Sequence, residues 1–101
     1  MTVLGRLSDW FRDQCDGEWE HGEGLLIETL DNPGWSVTIA LGGTRLRSAS
    51  FQEIKEHFDS ETEWLRCWRD EASFHAVCGP RRLEDVIERF LAWADHEGRP
   101  A

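Results

Sequence analysis

Residues 35–41 alternate Trp35, Val37, Ile39 and Leu41 with Ser36, Thr38 and Ala40. A period of two places the larger side chains on one side of an extended chain, so a strand is predicted over 35–42. An apolar run at 24–31 precedes it and reads as another strand, joined through Asp31-Asn32-Pro33-Gly34. Pro33 suits position i+1 of a β-turn, and Gly34 suits the positive φ that a type II turn needs at i+2. The two runs are therefore predicted to form a hairpin. Gly42-Gly43 makes a further turn, with short strands expected over 44–48 and 52–58. In the second of these, Ile54 and Phe58 fall on one side and Lys55 and His57 on the other. Ser50 and Glu53 also match a capping box, so a short helix stays open there. Over 63–69, Trp64, Arg66 and Trp68 share a face opposite Leu65 and Cys67, and over 73–78 Phe74, Ala76 and Cys78 share one.

The ends of the chain change period. Leu4, Leu7, Phe11 and Trp10 form a helical stripe over 3–15, which Asp16-Gly17 ends. Leu83, Val86, Ile87, Phe90, Leu91 and Ala94 form a second stripe over 82–96, with Gly98 suited to its C-cap. Short links between strands favour antiparallel pairing. The expected fold is α+β: an antiparallel meander of four to five strands, flanked by N- and C-terminal helices packed on one sheet face. Residues 1–101 are expected to form a single domain.

Composition narrows the function classes. Twenty acids face 11 Lys plus Arg, for a net charge of −9. Phosphate backbones and anionic lipid surfaces are disfavoured partners for such a chain, so no nucleic acid and no membrane are expected. A basic partner is favoured. Cys15, Cys67 and Cys78 are odd in number and widely spaced, unlike a disulfide framework. No apolar run approaches a membrane span, and the first residues lack a signal peptide's features. A cytoplasmic location is expected.

No phosphate-binding loop, dinucleotide fingerprint or zinc helix occurs, and His21, His57, His75 and His96 are scattered. No metal or cofactor is expected. Cys78 lies near a helix entrance beside Arg81 and Arg82, where a thiol can be activated. Its alternation with Phe74 and Ala76 instead predicts a core thiol. Residues 9–31 hold eight acids against Arg12 alone, while the rest of the chain is nearly balanced. Trp19 interrupts the charged connection at 18–23, where it either anchors the loop to the core or projects into a partner. Glu18, Trp19, Glu20, Glu23, Glu28 and Asp31 are the candidate partner-binding residues.

Two runs then carry a resemblance: Cys15-Asp16-Gly17-Glu18-Trp19-Glu20-His21 and Leu30-Asp31-Asn32-Pro33-Gly34-Trp35. With Trp64-Leu65-x-Cys67-Trp68 and Gly79-Pro80-x-x-Leu83-Glu84 further on, the chain resembles the immunity protein 53 family of bacterial polymorphic toxin systems. The resemblance implies a non-enzymatic cytoplasmic antidote that binds a cognate toxin domain. A small enzyme using Cys78 or the acidic loop, and an acidic adaptor for another basic protein, are the alternatives. Two features depart from the expected pattern. Asp70-Glu71-Ala72-Ser73 stands where a glycine-containing hairpin is expected, and Arg81-Arg82 puts positive charge at a helix N-terminus.

Overall fold

A computed structural model describes residues 2–22 and 24–97. The elements are α1 (Val3–Gln14), β1 (Leu25–Leu30), β2 (Gly34–Ala40), β3 (Ile54–Glu56), β4 (Leu65–Arg69), β5 (Ser73–Cys78) and α2 (Leu83–Glu97). All strand pairings are antiparallel, in the order β1-β2-β5-β4-β3. The expected fold class holds: one five-stranded antiparallel sheet with both helices packed on one face. The meander is interrupted once. β1–β2 is a hairpin and β3-β4-β5 a meander, and β5 rather than β3 lies beside β2.

The period-two segments supply the core. Val37, Ile39, Leu65, Cys67, Phe74, Ala76 and Cys78 are all buried on the helix side. Val86, Ile87, Phe90, Leu91 and Ala94 of α2 meet them, and the rings of Phe74 and Phe90 pack edge to face at 5.1 Å. Burial raises the Cys67 thiol to about 12 and the Cys78 thiol to about 11, because a thiolate loses its water there. Cys78 is therefore a core thiol and not an activated nucleophile.

Four expectations need correction. The buried stripe of α1 is Leu7 with half-buried Val3 and Trp10, while Leu4 is 63% and Phe11 39% exposed. The helix leans on α2 through Trp10, whose ring meets Phe90 at 4.8 Å, and this rotates the stripe. Residues 44–48 are not a strand. They coil into turns, with the Arg47 and Ala49 N–H groups donating to the Thr44 and Leu46 carbonyls. This compact path buries Leu46 and carries the chain from β2 to the far edge of the sheet. The Arg69 guanidinium donates to the carbonyls of Leu46, Ala49 and Arg47, which have no ladder partner.

The third correction concerns β3, which is a strand as favoured but only from Ile54 to Glu56. His57 takes a φ of +55°, the chain turns, and Phe58 leaves the side of Ile54 and stays 58% exposed. The fourth concerns the hairpin. The Asn32–Pro33 bond is cis, and Gly34 lies in β2 outside the left-handed region. Glycine is required there for another reason. An added Cβ would collide with the Cys78 carbonyl oxygen and press on the Trp64 ring at 3.3 Å. The Gly98 cap falls outside the described residues.

Arg82 ties the irregular segments to α2. It is 8% exposed, yet it sits 2.9 Å from Glu56 and 2.6 Å from Asp85 and donates to the Glu63 carbonyl. Glu56 also meets Arg89 at 3.0 Å. Asp85 and Glu84 supply negative charge to the first turn of α2, offsetting the unfavourable arginine pair.

Two predictions follow from this packing. Gly34→Ala, which leaves φ freedom nearly untouched outside the left-handed region, should already destabilise the fold, and Gly34→Val should cost about 1–3 kcal/mol. Denaturant unfolding measures both, and unchanged midpoints would remove the steric explanation. The second concerns acid. Hydrogen bonds from Arg89 and Arg82 hold the Glu56 carboxyl at about 2, below its ordinary 4.5. A depressed carboxylate contributes stability above its unfolded value, and that contribution is lost as pH falls from about 4.5 to about 2. Glu56→Gln should therefore be less stable than wild type at neutral pH, with the gap closing by pH 2. A gap independent of pH would refute the assignment.

Candidate binding surface

The helices cover one face of the sheet, and the other face carries the side chains that alternate with the core. Register places Glu28 of β1, Ser36 of β2, Val77 of β5, Arg66 of β4 and Lys55 of β3 in one row across all five strands. The next row holds Leu26, Thr38, His75 and Trp68. Leu26 is 50% exposed. At one end of this face, Asn32, Phe58, Ser60, Glu61, Trp64, Arg66 and Val77 line a groove of about 500 Å³.

A linked set of charges and rings stiffens the face. Glu53 accepts from Arg66 at 2.7 Å, and the Arg66 guanidinium lies 4.2 Å from the Trp68 ring centroid. Trp68 stacks on His75 at 5.3 Å, and His75 Nε2 is 2.7 Å from an Asp70 carboxylate oxygen. Asp70 also accepts from the Ala72 and Ser73 N–H groups. Those two backbone donors, then His75, hold its carboxyl at about 2. This carboxylate-capped turn explains how residues 70–73 reverse the chain without glycine.

The sequence-derived candidates separate into three groups. Trp19 takes the anchoring alternative. It is 7% exposed, its indole N–H donates to the Ala40 carbonyl at 3.0 Å, and its ring packs against Trp10 and Phe11 at 5.7 and 5.6 Å. Its ring is thus a core element and not a projecting one. Glu20 folds back on its own loop, accepting from the Asp16 and Gly17 N–H groups. Its own backbone N–H and those two donors lower its carboxyl pKa. Glu18 is exposed on the same loop. Glu28 and Asp31 are exposed elsewhere, Glu28 within the uncovered sheet face and Asp31 in the turn beside Asn32 of the groove. Glu23 lies outside the described residues.

Phe58, Glu61, Trp64 and Val77 escaped the sequence-derived set. The signal for Trp64 was present in its alternation with Leu65, because a tryptophan opposite a core face must lie on the other side. Phe58 gave no such signal, since its position depends on the turn at His57. The surface offers aromatic rings, carboxylates and backbone turns, a combination suited to binding cationic or aromatic side chains.

Among the described residues, no cluster of three His, Cys, Asp or Glu side chains could hold a metal ion. No helix of the described residues is long and apolar enough to cross a membrane. No curated protein and no solved structure matches the chain. The model of the family described as Immunity protein 53 matches residues 4–95, nearly the whole chain. The chain belongs to the Immunity protein 53 family.

Proposed function

We propose that this member of the Immunity protein 53 family protects its producing cell by binding a cognate toxin domain directly, in the cytoplasm. The observation that carries this reading is the family match across residues 4–95. A binding protein rather than an enzyme is the role this membership supports. The buried, un-ionised Cys78 thiol argues against the cysteine-enzyme alternative.

The net charge of −9 favours a basic toxin surface, because opposite fields speed encounter and reject anionic partners. Glu18, Glu28 and Asp31 are exposed carboxylates that contribute to this field. Trp19 and Glu20 serve the same surface indirectly, by holding the loop that presents Glu18.

Expression of a candidate cognate toxin domain, with and without the chain, tests the function. The chain should restore growth and co-purify with the toxin. Rescue without a complex would favour an indirect role. Stopped-flow association at two salt concentrations tests the field. Reversing Glu18, Glu28 and Asp31 to lysine should slow association about tenfold at low salt and weaken its salt dependence. Wild-type association rates in that variant would exclude these carboxylates from steering.

A further inference from the structure

The uncovered sheet face and the charge asymmetry meet in the groove between the 57–64 connection and β5. Its apolar walls are Trp64, Val77 and the exposed Phe58. Its charged lining residues are Arg66 and Glu61. Arg66 is already matched, with the Glu53 carboxylate at 2.7 Å and the Trp68 ring at 4.2 Å. Glu61 has no ion pair among the described residues, and Glu53 is shared with Lys55 at 3.6 Å, so Arg66, Lys55, Glu53 and Glu61 balance one another. The flanking acids tip this balance to negative: Asp31 precedes Asn32, Asp59 lies between Phe58 and Ser60, and Glu28 shares a row with Val77 two strands away, about 10 Å.

Resting on the immunity reading above, we infer that this groove is the toxin-contacting site and that it receives an arginine or lysine side chain from the toxin. The aliphatic stem of such a side chain packs on Val77 and Phe58, as long cationic residues do on apolar surface. Its charged head meets the Trp64 indole and the Glu61 carboxylate, where cation–π attraction and an ion pair act together. A carboxylate-bearing or phosphorylated partner would meet Glu61 and its acidic neighbours unfavourably. A second copy of this chain would bring a second charge of −9 to the same face. The groove also explains why Phe58 stands exposed at the end of β3 rather than packing beneath it.

The probe is that cognate toxin domain, carrying a substitution that abolishes its toxicity, with binding followed by surface-immobilised kinetics. Glu61→Arg and Phe58→Ala alter exposed side chains, so both variants should keep the wild-type unfolding midpoint. Each should raise the dissociation constant at least tenfold, and Phe58→Ala should do so mainly through faster dissociation. Exchanging one toxin arginine or lysine for glutamate should restore binding to Glu61→Arg and weaken binding to wild type. Wild-type affinity in both folded variants would overturn the groove assignment while leaving the immunity function standing. A wild-type chain that neither binds nor protects would remove both. Loss of binding in Glu61→Arg that no toxin charge exchange restores would overturn the cationic occupant.

Discussion

Two helices can cover only one face of a five-stranded sheet, and this constraint organises the whole chain. α2 lays its buried stripe over β5, and α1 reaches the same layer through Trp10 against Phe90. Every strand must then be two-sided. Leu65 and Cys67 are fully buried beneath the helices, while Arg66 between them and Trp68 after them lie on the uncovered face. Alternation converts one stretch of sequence into both a core and a surface, so core formation itself delivers the uncovered face.

The segments without strand partners depend on arginine instead. The 41–53 crossover leaves carbonyls at Leu46, Arg47 and Ala49, and the planar fork of Arg69 satisfies all three. Arg82 does the same for the other end, holding β3, the Glu63 carbonyl and the start of α2 together. A guanidinium with 8% exposure is costly to desolvate, and it is tolerable because two carboxylates and a carbonyl surround it. These contacts also set the path of the chain around the groove, since β3 ends at Glu56 and Phe58 follows two residues later.

The legible parts of this fold are those whose pattern is local. The alternation of 73–78 and the stripe of 83–94 are each stated by side chains within one element, and both elements form where expected. The strand expected at 44–48 is absent because Leu46 is buried by tertiary packing, and its carbonyl and those of Arg47 and Ala49 accept from Arg69, 23, 22 and 20 positions away. Gly34 is needed for its missing side chain, not its torsional freedom, and that need exists only once Cys78 lies beside it. Trp19 illustrates the same limit for the candidate site. A tryptophan amid acids reads equally well as anchor or probe until the Ala40 carbonyl is seen to accept its indole N–H. Conversely, Phe58 and Glu61 come to line one groove with Val77 only because the chain turns after His57.

The division of each strand into a packed side and an uncovered side also bears on how such a chain can change over generations. Leu26, Glu28, Thr38 and Val77 sit on the side away from both helices, while their sequence neighbours carry the packing. Replacements there alter shape and charge on the uncovered face with little demand on the interior, provided the new residue tolerates an extended backbone. Mutational drift can thus redraw the uncovered face one position at a time along a ridge of nearly constant stability. Evolvability and foldability are assigned to opposite sides of the same five strands.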